Sequence, residues 1–558
     1  MKKMIALLLA AMMMFSLAAA CGNDTPAETP TNPAPTTPTT PTPTSPTPTN
    51  PVPTKPAKDE KYGGDLIAAS TSISNTLDPH HSQGTLGNYQ WMQYVYETAI
   101  VMGADGQFYP LICDYEYAED GLTLKLTVRD YYFSNGEKVT IEDIIASYER
   151  GARLNASFAE KVMNDVTDIK VEGNSATFTF SKMNVSRLSV LGDHRGAGSY
   201  IIPKSIMDKY GDEPITEITD VIGSGPYLLE SYSPDTAIKM VRNEDYTPTE
   251  SGGNGVAAPR MAYCDTITYA MNTDNASRTA AMIAGDYHIG GILTEMQPYA
   301  EQVGLKSEWL YNQWTHAIFF NLSEDNADSP VQDVNFRKAF RAALDMNAIM
   351  LSVMSGNPNA YELEPSAITS LNTTYYNTIV KDTEWNIADK ELAKQYLAQS
   401  NYNGEPIVWL CSAGSAFYRA AMAAIPMLEE VGIAVELMAV DSGSHSGLRN
   451  TSTSGHDIGA WECQKAIDNP VNQNNFVTGS NAGWWTNDKK TELLDIMRSN
   501  PTGSSASVQA YADFCELAAD EVPWVVFGTA ISKTYTQPNV EMNYEGIHAY
   551  YWNTYFTK

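Results

Sequence analysis

Residues 122–143 read LTLKLTVRDYYFSNGEKVTIED, and this stretch sets the fold class. Leu122–Val128 alternates apolar and polar side chains with period two, the pattern of a half-buried strand. Ser134-Asn135-Gly136 then supplies a turn. Thr140-Ile-Glu-Asp143 offers a helix start, with Thr140 as N-cap and Asp143 at N3 in place of the usual Glu. A strand, a turn and a capped helix in immediate succession predict a mixed α/β chain.

The same alternation extends outward. Leu66–Thr71 (LIAAST) reads as an opening strand, followed by a turn-rich loop through Asn75-Thr-Leu-Asp-Pro-His80. Gln90–Met102 carries apolar residues at helical spacing. Asn335–Met354 reads as one amphipathic helix, and Ala388–Ser400 and Ala416–Val431 as two more. There is no internal repeat, and several sheets with helices on them fit best.

The N-terminus announces where the chain works. Residues 1–20 (MKKMIALLLAAMMMFSLAAA) place Lys2 and Lys3 ahead of a short apolar run ending in small residues at Cys21, which is an export signal. The layout resembles a bacterial lipoprotein signal, with Cys21 the residue to be lipidated and Ala18 standing where leucine is usual. Residues 21–61 are then dominated by Pro and Thr. Such a segment has too little to bury to repay the entropy of folding, and proline biases it to an extended spacer of ~3.1 Å per residue. No later stretch approaches the ~20 apolar residues of a membrane span. The expected location is the extracytoplasmic face of the membrane, held by lipid in a Gram-positive-type envelope.

Beyond the spacer lie nearly 500 residues, too many for one core, so two or three lobes are expected. The net charge of −30 disfavours nucleic acid and anionic lipid surfaces as partners and favours a soluble monomer. The cysteines are Cys21, Cys113, Cys264, Cys411, Cys463 and Cys515, without a CxxC pair or a Cys/His cluster of metal-binding spacing. With Cys21 lipidated, the other five allow at most two disulfides or a buried reduced set. No GxSxG, HExxH or GxxxxGK[ST] appears, so neither an enzyme nor a resident cofactor is expected.

A series of short motifs carries a family resemblance. They include Thr76-Leu-Asp-Pro-His80, Glu119-Asp-Gly121, Phe133-Ser-Asn-Gly136, Gly223-Ser-Gly-Pro-Tyr227, Arg242-Asn-Glu-Asp-Tyr246, Val334-Asn-Phe-Arg-Lys-Ala-Phe340 and Trp461 with Asp468-Asn-Pro470. In this order, over some 450 residues, they resemble the peptide/nickel class (family 5) of extracellular solute-binding proteins that feed ABC importers. Most of these pieces read as scaffold: the glycines of Gly223-Ser-Gly-Pro-Tyr227 as permissive turn formers, and Arg337 as half of an ion pair within its lobe.

The resemblance implies a two-lobed, periplasmic-binding-protein-like fold with an inserted subdomain, closing on ligand by hinge motion and docking on the permease. It places the first-lobe core at 62–105, 221–313 and 522–558, the insert at 106–220 and the second lobe at 314–521. It also implies two ligand walls. One is Gln83, Gly84 and Thr85, which in peptide-binding relatives run beside the ligand backbone. The other is Trp461, Glu462, Gln464 and Asp468, with Trp461 as an exposed stacking face. Peptide binders of the class carry an aspartate three residues after this tryptophan to hold the ligand's α-ammonium. Here that position is the neutral Gln464, with Glu462 and Asp468 close by. Oligopeptides are the expected ligands. Oligosaccharides, recognised by neutral amides and aromatic faces, are the alternative, ahead of a metal chelate or haem.

Overall fold

Period-two burial marks strand β1 (Asp65–Ser70), whose Leu66, Ala68 and Ser70 turn inward. The computed structural model describes residues 60–558 other than 73, 83–85, 104, 197, 250, 254, 371, 467, 473, 478–482 and 543–549. The export signal, Cys21 and all but the end of the spacer lie outside the described residues, as do Gln83, Gly84 and Thr85. Helix α1 (Leu86–Val95) ends well before the Met102 that apolar spacing predicts. The residues beyond it pair instead as short strands, Glu97–Thr98 and Ile100–Met102. Glu97 is wholly buried, with its carboxylate taken by Arg260, Tyr131, Ser224 and Tyr246, which pins the chain in an extended course.

The insert is a four-stranded antiparallel sheet of β2 (Cys113–Tyr117), β3 (Thr123–Val128), β4 (Val166–Glu172) and β5 (Ser175–Phe180), in the order β2-β3-β5-β4. LTLKLTV is β3, with Leu124, Leu126 and Val128 buried and the residues between them turned outward. Helix α2 (Ile141–Leu154) begins with both bonds of the capping box: Thr140 Oγ1 accepts from the Asp143 amide at 3.3 Å, and Asp143 Oδ2 from the Thr140 amide at 2.8 Å. Ile141, Ile144 and Tyr148 of α2 share a core with Leu124, Leu126 and Phe178. The short helix α3 (Arg187–Leu191) stands beside this sheet.

Apart from three two-stranded ribbons, the remaining strands build one large mixed sheet. They are β6 (Tyr227–Ser233), β7 (Ala237–Arg242), β8 (Thr266–Met271), β9 (Ile289–Gly290), β10 (Lys306–Phe320), β11 (Tyr361–Glu362), β12 (Ile407–Ser412), β13 (Val435–Val440), β14 (Ile458–Gln464) and β15 (Trp524–Thr536). Their order is β6-β7-β8-β1-β9-β15-β10-β14-β12-β13, with β11 also on β15. β1 runs parallel to β8, Asp65 opposite Thr266, and β12 runs parallel to β13 and β14. The long β10 and β15 pair antiparallel from Lys306–Thr536 to Phe319–Trp524, with register shifts between Leu310 and Trp314 and between His316 and Ala317.

Each half of this sheet has its own core. Leu66, Ile267, Met240, Trp91 and Trp552 pack in the first lobe; Ile318, Phe340, Trp409, Leu428 and Phe527 pack in the second. The ribbon of β10 and β15 belongs to both. Asn335–Met354 proves to be two helices, α4 (Val334–Ala343) and α5 (Met346–Val353). Leu344 is extended, and Asp345 caps α5 by accepting from the Ala348 amide at 3.0 Å, which stops the first helix. Arg337 forms no ion pair among the described residues; its guanidinium donates to the carbonyls of Val331, Gln332, Glu521 and Val522.

Gly223 serves close packing, not an unusual backbone angle: a Cβ there would stand 1.9 Å from the Val95 carbonyl oxygen. Helices α6 (Lys390–Leu397) and α7 (Ala416–Val431) lie where the sequence puts them. A further helix, α8 (Ser442–Leu448), follows β13. Cys113, Cys264, Cys411, Cys463 and Cys515 are all free and buried. Among the described residues no helix is long and apolar enough to cross a membrane.

Candidate functional site: the seam between insert and second lobe

β14 lies between β10 and β12, so its side chains alternate between two packed faces. That position overturns the expectation of an exposed Trp461. The indole is only 3% exposed, set edge-on to Phe319 with ring centroids 5.4 Å apart, and the Arg449 guanidinium lies 5.2 Å above it. Glu462 turns the other way and is about half exposed, its Oε1 3.7 Å from His316 Nε2. Crowding by its neighbours pushes this carboxyl up, against the pull of Arg449. Gln464 closes the strand opposite Trp314. The next residue, Lys465, was not anticipated as part of the site. It is buried, and burial pushes its ammonium down to about 8, with Glu364 and Glu362 the opposing charges.

Asp468 sits in the turn beyond β14 and reaches across to the insert. Its carboxylate accepts from the Ser189 hydroxyl of α3 and from Asn472 Nδ2, the latter at 2.7 Å. Asn472 Nδ2 also donates to Ser189 Oγ at 3.1 Å, and the Ser186 hydroxyl donates to Asn472 Oδ1. Burial pushes the Asp468 carboxyl up, and these donors hold it down. The sequence singles out Asp468 but not Ser189 or Asn472. Ser189 is 279 residues from Asp468, a distance over which no local pattern operates.

Beside this bridge is a cavity of about 530 Å³ between insert and second lobe. Phe108, Tyr117 and Leu188 line it from the insert, and Asn372, Tyr375 and Thr502 from the second lobe. The charged groups on its wall, Asp105, Glu119 and Asp468, are all acidic. Aromatic faces, neutral hydrogen-bonding groups and carboxylates together suit a polar organic ligand that is neutral or carries a cation.

On the first-lobe side, the approach to Gln83, Gly84 and Thr85 is fixed by a buried network. Arg150 of α2 forms a two-pronged pair with Asp78, Nη1 to Oδ1 at 3.0 Å and Nη2 to Oδ2 at 2.7 Å. Asp78 also accepts from the amides of His80 and Ile215. His80 Nε2 lies 2.8 Å from the Tyr200 carbonyl oxygen, so it carries the ring proton, and Nδ1 accepts from Arg150. The Thr76–His80 motif is therefore scaffold.

Comparison with known proteins agrees with this architecture. The sequence pattern described as "Bacterial extracellular solute-binding proteins, family 5 Middle" matches residues 107–491. The probable D,D-dipeptide-binding periplasmic protein DdpA of Escherichia coli is 22% identical over 305 residues, 52% of this chain and 55% of that protein. The matched segments span between 28% and 55% of the length of the curated relatives. Among solved structures, the ABC transporter substrate-binding protein CtaP of Listeria monocytogenes superposes with a TM-score of 0.75 at 17% identity, covering 89% of this chain and 100% of that one. NikA of Brucella suis, solved with Fe(III)-EDTA, gives 0.71 at 19%, covering 87% and 97%. At such identities the structures speak for the fold, while the family pattern covers more than half of the sequence. The chain belongs to the bacterial extracellular solute-binding proteins, family 5.

Proposed function

We propose that this protein is the tethered receptor of an ABC importer, taking oligopeptides into the cleft between its lobes and presenting the closed form to the permease. The observation that carries this reading is the seam itself. Ser189, Asp468 and Asn472 join insert to second lobe beside a cavity of about 530 Å³, while β10 and β15 tie the two lobes through a single ribbon. A ligand that touches both walls favours the closed state by its differential affinity for it. No bond is made or broken in that cycle.

The peptide assignment draws support from the likeness to DdpA and from the exit of β14. Glu462 stands half exposed, where a ligand's ammonium needs an anion once Gln464 occupies the usual aspartate position. Gln83, Gly84 and Thr85 furnish the facing wall in this scheme, and the lobes divide at the boundaries given above. Cys21 carries the lipid, and the Pro/Thr spacer lets the monomer work on the order of 100 Å from the membrane.

The test is mass spectrometry of whatever is released when the full chain, purified from cells grown in rich medium, is denatured. A ladder of peptide masses upholds the assignment. Masses spaced by hexose units replace it with an oligosaccharide receptor marked by Gln464, and a chelate or haem mass places the chain with the metal-complex binders.

A further inference from the structure

Helix α9 (Asp488–Ser499) walls a second cavity, of about 330 Å³, on the second lobe. None of its lining residues belongs to the seam cavity or to β14. Lys490, Leu494 and Arg498 follow at four-residue steps, so they share one stripe of the helix, and all three line the space. The floor is buried: Val477, Trp485, Leu494 and Lys490, the last only 4% exposed. The rim is open and polar, formed by Thr486, Thr491 and Arg498.

Lysine is rarely buried this deeply. Its Nζ donates to the Trp485 carbonyl at 2.7 Å and stands 4.7 Å above the Trp485 ring. Both charged groups on the wall are cations; among the described residues that line the cavity there is no carboxylate. The acids of this region are turned to other partners. Glu521 accepts from Trp485 Nε1 and Asn487 Nδ2, and Glu492 pairs with Lys489. Asp495 meets Arg498 at 3.4 Å on the open surface, where such a pair is weak. Burial, and then the charge of Arg498, push the Lys490 ammonium down to about 8, as happens where like charges meet away from water. Two cations over one hollow stand out in a chain of net charge −30.

We infer that this hollow binds a phosphate ester, Lys490 and Arg498 holding the phosphate and the Trp485 floor covering the organic part. A tetrahedral phosphate can meet an ammonium at the floor and a guanidinium at the rim at once, and still offer an oxygen to Thr486 or Thr491. The volume falls in the range of about 300–1,000 Å³ usual for small-molecule sites. The site is separate from the proposed cleft and goes beyond the receptor reading.

Glycerol phosphate and glycerol are the probes, at millimolar concentration, neutral pH and fixed ionic strength. The phosphate ester should raise the thermal midpoint of the full chain, and glycerol should not. Lys490→Met, which fills the same space without the charge, should lose the response. Arg498→Gln, at an exposed position, should weaken binding about tenfold by calorimetry, the worth of one charge-assisted pair. Equal responses to the two probes, or a phosphate response unchanged in either variant, overturn the site; should Lys490→Met fail to fold, Arg498→Gln decides alone. Cosedimentation of the full chain with phosphatidylglycerol and with phosphatidylcholine vesicles separates the two sources of such a group. A preference for phosphatidylglycerol that is lost in Lys490→Met assigns the phosphate to a lipid headgroup. Equal sedimentation, or a preference the substitution leaves intact, assigns it to a free ester. Neither result depends on which solute the cleft takes.

Discussion

Trp461 packs against Phe319 beneath Arg449, in a small core with Phe476 and Val526. Truncating it therefore removes buried area and leaves a cavity, and Trp461→Ala should cost about 3–5 kcal/mol of folding stability. Denaturant unfolding measures this directly, and a loss below about 1 kcal/mol would return the indole to the ligand. The sequence singles out this loop by its tryptophan, its glutamine and its acidic turn. Their directions were not legible there. Which face of β14 is covered depends on Phe319 of β10 and on Arg449 beyond α8, neither of them local to the motif. Arg449 and His316 escaped notice for the same reason, since an isolated histidine or arginine in a sequence carries no sign of what will surround it.

At the scale of elements, the proposed hinge closure makes the contact of α3 with the 468–472 turn the one that sets how firmly the cleft shuts. Ser189→Ala leaves the Asp468 carboxylate with Asn472 as its side-chain donor. A hydrogen bond to a charged group contributes about 1.5–3 kcal/mol, so the unliganded variant should shift tenfold or more toward open forms. Small-angle scattering should report a larger radius of gyration, and a profile identical to wild type would show that the bridge does not set the equilibrium. Elements with strong local signals were read correctly: β3 from its alternation, α2 from its capping box, α7 from its periodicity. Where reading failed, a tertiary contact outweighed the local pattern. Glu97 draws the chain out of α1 into its buried network, and Asp345 caps a new helix where apolar spacing alone runs on.

For the molecule as a whole, acid stability follows from four histidines. His80, His316, His445 and His456 are pushed down to about 4, chiefly by burial. The unfolded chain takes up protons at these sites from about pH 6.5, and the folded chain only near 4. Their contribution is therefore complete above about 6.5 and is lost as pH falls toward 4, at about 1.4 kcal/mol per pH unit for each proton. Glu97 and Asp468, which burial raises, act in the opposite sense. The sharp readout is thus a difference: His445→Gln should flatten the fall of the thermal midpoint between about pH 6.5 and 4, and a slope equal to wild type would contradict the assignment.

The five cysteines buried in the two lobes and the insert have a practical consequence. Each thiol is pushed upward by burial, Cys411 and Cys515 to about 11 and Cys264 to about 12, so almost none is present as the reactive thiolate at neutral pH. Once Cys21 is lipidated or removed, the native background is silent to maleimide dyes. One cysteine introduced on the rim of the insert and one on the facing rim of the second lobe would carry a donor and an acceptor fluorophore, and single molecules could be watched opening and closing without replacing any natural thiol.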